Sequence, residues 1–343
     1  MDSRKTKHIM NYSQLNQEQQ FAIVMQVAER MGFNPNIIEK DWWVTQVLKA
    51  VFSLPYAEHL SFKGGTSLSK CWHLIERFSE DIDIAVSRDY LGFGGDLSRT
   101  QISDKLRRAA CSFVRERMQF DLRESLLKHG IAQDVFGVMV NITPISTTDP
   151  ETIEVEYKSA LPESPYIRHC VLIEVSGRSM QQPVKCEDVC SFIDYYLPQT
   201  VVAEDAFTIP KVVTPERTFL EKMFLLHEEF NKPKQEIRTR RMSRHLYDVV
   251  SMMKAGIDSK ALNDGELYRS IVEHRRQFIN LKGFDYDTLR PETLNIIPSE
   301  QVMDLWKKDY EQMRLSMIYG DAPTFEEIME QISRLQQKVR ALS

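Results

Sequence analysis

Residues 62–86 read FKGGTSLSKCWHLIERFSEDIDIAV, with a double glycine, Gly64 and Gly65, near one end and three carboxylates, Glu80, Asp81 and Asp83, near the other. Side chains two apart in a strand project from the same face, so Asp81 and Asp83 stand together while Ile82 and Ile84 enter the core behind them. Two carboxylates on one face repel. A divalent cation removes that repulsion, and Mg²⁺ suits the pattern because it takes one or two carboxylates and fills its other positions with water and phosphate oxygens. An isolated Asp-x-Asp is more often a solvated strand edge, but the glycines change the reading. They fall between a predicted strand, HLSFK, and a predicted short helix whose first turn offers free backbone N–H groups, with the Thr66 and Ser67 hydroxyls beside them. The gap would take a triphosphate, and the acids would take the cations that bridge it. Glu174, an acid inside the apolar run VLIEVSG, is the candidate third carboxylate, as a metal ligand or a base. Lys63, just ahead of the glycines, would help neutralise the phosphates. No G-K-[ST] follows the glycines, which excludes a P-loop.

Such side chains need a sheet and flanking helices to hold them. Helical spacing runs over 16–31, closed by Gly32, and again from Asn34 and Pro35 to a stop before Pro55. A strand, a short helix and a strand occupy 59–86, and a long amphipathic helix is expected over 103–128 with Ser103 as its N-cap. Three β-rich runs follow, 134–144, 152–159 and 167–177. The run 201–213 is expected as an edge strand, because Pro210 cannot donate to a central ladder. Beyond Thr214, an N-cap with Pro215 in the first turn, only helices are expected, including 243–254, 263–278, 299–317 and 324–342. The expected fold is α+β: a mixed sheet flanked by helices in residues 1–213, followed by a mainly helical C-terminal domain, 214–343. Trp42 and Trp43 are expected to pack on the sheet rather than stack a base.

The chain has 343 residues, 42% hydrophobic and 27% charged, and a net charge of −5, so any nucleic-acid contact must come from a local patch. No stretch approaches the roughly 18 apolar residues of a membrane span, and the first residues lack an apolar signal core, so the chain reads as cytoplasmic with no membrane partner. Five cysteines, an odd number without paired zinc spacing, read as reduced thiols, and Cys186 with Cys190 makes a poor metal pair.

Gly-Gly-Thr, a short helix, then Ser-Glu-Asp-Ile-Asp resembles the nucleotidyltransferase superfamily of the DNA polymerase β type, and the fuller FKGGTSLSK with RFSEDIDI resembles its AbiEii/AbiGii toxin branch. EKDWWVTQVL (39–48) is similar to that branch's upstream helix, TPERTFLEKMFLLH (214–227) to its lysine-bearing helix and RHLYDVV (244–250) to its R-D-L-Y-D segment. The tail KKDYEQMRLSMIYGDAPTFEEIMEQI also looks like the branch, so the likeness covers about 39–332; His245 stands where the branch usually has Asp. This resemblance implies a polymerase β-like sheet and an NTP-dependent nucleotidyltransferase, the toxin of a bacterial type IV toxin–antitoxin or abortive phage infection system. Members studied transfer nucleotides, some to the 3′ end of tRNA, and others are described as binding GTP. Residue by residue, it implies Asp81 and Asp83 as ligands of Mg²⁺ or Mn²⁺, with Gly64, Gly65 and Thr66 or Ser67 around the phosphates. It further implies Lys222 on the triphosphate and Asp248 orienting or pairing with Lys222. A cognate antitoxin is an implied partner. Read without the resemblance, Lys222 fits a solvated helix face, and Asp248 fits a surface acid paired with Arg244 one turn earlier. Two other readings keep the same site: a protein side chain as acceptor, or an NTP-binding regulatory module without transfer. Ser79, just ahead of the acid pair, is a place where an added nucleotide or phosphate would block the site with negative charge.

Lys232, Lys234, Arg238, Arg240, Arg241 and Arg244 form a local positive run in which Glu236 is the sole acid. It reads either as a solvated loop or as a grip on an RNA backbone, the latter with steep salt dependence.

Overall fold

The computed structural model describes residues 10–141, 151–162, 167–197 and 205–342, so 142–144 and 201–204 of the expected β runs lie outside the described residues. Among the described residues seven strands form one mixed sheet: β1 (Leu60–Lys63), β2 (Asp81–Val86), β3 (Phe136–Asn141), β4 (Glu151–Tyr157), β5 (Cys170–Ser176), β6 (Val184–Val189) and β7 (Phe207–Val213). Their order is β3-β4-β5-β2-β1-β7-β6. The fold is α+β. β2 is central, antiparallel to β1 and parallel to β5.

One face of the sheet is apolar for the reason the alternation predicts. Ile82, Ile84, Ile173 and Val175 are fully buried and share a core with Val47 and Leu48 of the helix Pro35–Val51 and with Leu122 and Leu126 of a long helical run. Each such side chain contributes about 1.5–3 kcal/mol of burial. Local signals set the ends of these helices. Asn16 accepts from the Gln19 amide while the Gln19 side chain caps Asn16 in return, and Gly32 closes the helix Gln17–Met31 in the left-handed region at φ 62°. Trp43 stacks on Tyr157 of β4 with ring centroids 4.8 Å apart, on the sheet as expected, whereas Trp42 tilts against Tyr12 of the short helix Tyr12–Gln14.

Two expectations fail. The long helical run includes 101–128, and Ser103 lies inside it. Ser98 and Gln101 make the reciprocal cap instead: the Gln101 amide donates to Ser98 Oγ at 3.3 Å, and the Ser98 amide donates to Gln101 Oε1 at 2.9 Å. β7 is not an edge strand, because β6, carrying Cys186, pairs outside it. Pro210 is tolerated there because the β6–β7 register slips between Lys185 and Glu187, so its missing N–H falls at an irregularity in the ladder. All five cysteines are free thiols.

After β7 the described chain is helical, with Pro215–Phe230, Arg244–Lys254, Ile257–Asn263, Gly265–His274, Glu300–Ser316 and Phe325–Arg340 as its main helices. A second core joins Phe219, Met223, Leu246, Trp306, Ile328 and Leu335, and it also takes in Leu68 and Ile75 from the segment between β1 and β2. Among the described residues, no helix is long and apolar enough to cross a membrane.

Candidate active site

The polar face of the sheet opens into a cleft between β1, β2 and β5 on one side and the helices Pro215–Phe230 and Arg244–Lys254 on the other. Lys63, Asp83 and Glu174 are register partners across β1, β2 and β5, so they stand in one row, with Asp81 two residues up the same face of β2. Asp81, Asp83 and Glu174 all line the cleft. Lys63 Nζ lies 3.7 Å from Asp83 Oδ1. Burial first, and then the charges of Asp83 and Asp81, push the Glu174 carboxyl up to about 7. Burial and then Glu80 push Asp81 up as well. Among the described residues, no group of three or more His, Cys, Asp or Glu side chains is arranged to hold a metal ion. Asp81, Asp83 and Glu174 offer oxygen donors only, the type taken by a cation that draws its remaining ligands from water and phosphate.

Glu80, the third acid of the sequence cluster, serves another purpose. It lies outside the cleft lining and pairs with Lys40 at 2.7 Å and with Arg241 at 2.5 Å. Asp41 takes Lys70 at 2.6 Å and the Phe192 amide at 2.7 Å, so Lys40 and Asp41 both serve the scaffold.

Gly64 and Gly65 floor the cleft. Gly64 has φ +83°, and a Cβ there would fall 1.9 Å from Asp83 Oδ2; a Cβ on Gly65 would fall 2.8 Å from both Ser79 Oγ and Arg77 Nη2. Only glycine lets the turn lie against the carboxylate. Thr66 and Ser67 are fully buried, and neither hydroxyl faces the cleft. Thr66 Oγ1 donates to the Asp81 carbonyl at 2.5 Å, and Ser67 Oγ donates to the Gly64 carbonyl at 2.9 Å, so both fix the turn. The helix that follows, Gly64–Lys70, spans two turns.

The other end of the cleft is cationic. Lys222 Nζ lies 2.8 Å from Asp248 Oδ2, and Arg77 grips the same carboxylate through Nε at 2.7 Å and Nη2 at 2.8 Å. Burial works against the charge on Asp248, but Arg77 and then Lys222 hold its carboxyl well below the usual range. Burial lowers the Lys222 ammonium, which Asp248 partly restores. His245 Nδ1 is 3.4 Å from Lys222 Nζ, and burial followed by the Lys222 charge keeps that imidazole neutral. Arg244 also lines the cleft, with no ion pair or hydrogen bond among the described residues; burial and then Arg77 and Arg241 depress its pKa. The pairing of Asp248 with Arg244 expected without the resemblance is thus replaced by Arg77 and Lys222.

The basic run is largely spent. Lys232 and Arg238 pair with Glu229 at 2.8 and 2.7 Å, Arg241 pairs with Glu80, and Arg244 faces the cleft. Lys234 and Arg240 remain exposed. Glu229, fully buried one turn before the run, is the acid that the linear reading missed. Arg77 was also missed: its only signal was its place in RFSEDID, and its partner is 171 residues away.

A sequence model of the family described as nucleotidyl transferase AbiEii toxin, type IV toxin–antitoxin system, matches residues 46–331. No curated protein matches the chain. Two crystal structures of Helicobacter pylori proteins, JHP933 and one provisionally described as a nucleotidyltransferase, are each 14% identical to it, with TM-scores of 0.40 and 0.39. They cover 90% of this chain and 94% and 96% of their own. Superpositions this loose give no residue correspondence.

Proposed function

Because the chain belongs to the AbiEii family of nucleotidyl transferase toxins from type IV toxin–antitoxin systems, we propose that it moves the nucleoside monophosphate of an NTP onto an RNA, the 3′ end of a tRNA, in a divalent-metal-dependent reaction. The observation that carries this reading is the meeting of both charges within one cleft. Asp81, Asp83 and Glu174 line it together with Arg77, Lys222 and Arg244, and the glycine turn lies against Asp83 at Gly64 and against Arg77 at Gly65. A metal-bound triphosphate is the complementary object, with cations to meet the acids and phosphate oxygens to meet the bases.

Asp81 and Asp83 would hold Mg²⁺ or Mn²⁺, with Glu174 beside them. A cation bound there neutralises charge developing at the α-phosphate and orients the attacking hydroxyl. Lys222, kept charged by Asp248, binds the outer phosphates, as does Arg244; Gly64 and Gly65 let them come close to the backbone, and Lys63 neutralises the inner end. Glu174, in the row beside Asp83, is placed to take the proton of the 3′ hydroxyl. The hydroxyl oxygen bonds to the α-phosphorus, the bond from that phosphorus to the bridging oxygen breaks, and pyrophosphate leaves. The tRNA acceptor is supported by the resemblance alone, since only Lys234 and Arg240 of the basic run are left for a phosphate backbone. An antitoxin partner follows from the family.

The test is to incubate the purified protein with total tRNA, Mg²⁺ and each of the four α-labelled NTPs. Label should enter tRNA, and Asp81→Ala should lower the rate by at least about 1000-fold with unchanged unfolding, several kcal/mol of barrier being the share of a bound metal. Label in a polypeptide instead would make the acceptor a protein. NTP binding without pyrophosphate release would leave a binding module.

A further inference from the structure

Arg77 is held from two directions, far more firmly than a surface arginine needs. Its side chain makes the fork on Asp248, and Nη1 donates to the Phe78 carbonyl at 3.2 Å. Its backbone lies in an isolated antiparallel bridge with Ile318, in the connection between the helices Glu300–Ser316 and Phe325–Arg340. Around that bridge the Phe78 amide donates to Met317 O at 2.7 Å, the Tyr319 amide to Glu76 O at 2.9 Å and the Asp321 amide to Glu76 Oε2 at 3.0 Å. Residues 317–321 thus strap down 76–78, immediately ahead of Ser79 and the acid pair. Gly320 makes the strap possible: a Cβ there would fall 2.0 Å from Glu76 Oε2 and 2.6 Å from Glu76 Cβ, and its constraint is space, since its φ is not positive.

We infer that Arg77 contacts the triphosphate in the cleft, and that residues 317–321 are a positioning element that aims it. This rests on the reading of the cleft as an NTP site. Asp248 is a single buried carboxylate, and Lys222 at 2.8 Å already neutralises it. A second buried cation on the same acid leaves a surplus positive charge, which within the cleft is met by the charge of Asp81 without a direct ion pair, so an anion that touches Arg77 would be stabilised there. That surplus is aimed: Nη2 overhangs Gly65, whose missing side chain leaves Nη2 and Ser79 Oγ beside the same space. Of the five guanidinium N–H donors, three are spent on Asp248 and Phe78, leaving two for phosphate oxygens in a site that Arg77 itself lines. The strap explains why the family-like tail extends so far beyond the sheet. It reaches back to fix the segment that delivers Arg77.

The test compares NTP binding and the KM and kcat of transfer in the full chain carrying Arg77→Lys, Arg77→Met, Gly320→Ala, Glu76→Ala, or Gly320→Ala with Glu76→Ala. Arg77→Lys keeps a cation on Asp248, so its unfolding midpoint should stay near native. Loss of the charged fork should raise KM for NTP by about 10–100-fold, with Arg77→Met at least as severe. Gly320→Ala should raise KM in the same direction, and adding Glu76→Ala, which removes the two nearest atoms but leaves the Glu76 Cβ at 2.6 Å, should recover part of that loss. Glu76→Ala alone, which loses the Asp321 hydrogen bond but keeps the backbone bond from Tyr319, should raise KM less than Gly320→Ala does. Native KM in Arg77→Lys, or a Gly320→Ala defect that Glu76→Ala does not relieve, would overturn the inference. If the native chain itself binds no NTP, the reading of the cleft fails first; if it binds and the Arg77 variants bind equally well, only this inference fails.

Discussion

Asp248 lies behind the cleft and pairs with two of the cations that line it. It is fully buried, shared by Arg77 and Lys222, and held strongly ionised against its own burial. Asp248→Asn would strand two buried cations, so it should cost about 3–5 kcal/mol of stability in urea unfolding as well as transfer activity. A loss under 1 kcal/mol would mean that the pairs are solvated. The buried imidazoles set a second, pH-dependent expectation. Burial lowers His227 and His274 to about 4, and His227 Nδ1 accepts the Asn295 amide at 2.8 Å. The unfolded chain binds those protons near pH 6.5 and the folded chain only near 4, so their contribution is complete above 6.5 and is lost as pH falls from 6.5 towards 4. Each should cost on the order of 1–2 kcal/mol by pH 5, and His227→Gln should flatten the slope of the urea midpoint between pH 7 and 5. At this scale the acids were legible, because a period of two puts Asp81 and Asp83 on one face and an acid in an apolar strand is conspicuous. The cationic end was legible only in Lys222 and Asp248, and only through the resemblance. Arg77 and Glu229 find their roles through partners that the fold brings together, and local sequence does not announce these.

The glycine turn is the element that joins the two ends. Gly64 needs both its positive φ and the space occupied by Asp83, whereas Gly65 needs space alone. Gly64→Ala should therefore be worse than Gly65→Ala: the left-handed backbone costs about 1–2 kcal/mol before any clash, and displacing Asp83 by an ångström can lower transfer by ~100-fold. Comparing kcat for the two variants checks the order, and equal rates would contradict it. Helix and strand types were largely readable from periodicity and caps. Pairing was not: β6 is a short polar run around Cys186 that shows little alternation, and Pro210 reads as an edge marker until the register slip beside it is seen. The start of the long helical run was misplaced because both Ser98 and Ser103 are plausible caps, and the answering Gln101 settles the choice only once its side chain is placed.

On the scale of the whole molecule, we propose the division at 213/214 as a boundary of architecture rather than of independent stability. The C-terminal core takes Leu68 and Ile75 from the N-terminal part, and Arg77 with Asp248, Glu80 with Arg241 and the 317–321 strap all cross the boundary. Thermal unfolding should thus be a single cooperative transition, and residues 214–343 expressed alone should lack protected amides in hydrogen exchange; two separate calorimetric transitions would contradict this. The change from mixed to helical character at Thr214 was legible in the sequence, but the crossing contacts were not, because each joins residues far apart along the chain. The central claim is that both ends of the cleft belong to one metal–triphosphate site. It is tested most directly by soaking crystals of the protein with Mn²⁺ and a non-hydrolysable NTP and recording anomalous scattering. The account predicts a manganese peak between the carboxylates of Asp81 and Asp83, with triphosphate density running over Gly64 and Gly65 to Lys222 and Arg77; manganese elsewhere, or a nucleotide bound outside the cleft, would contradict it.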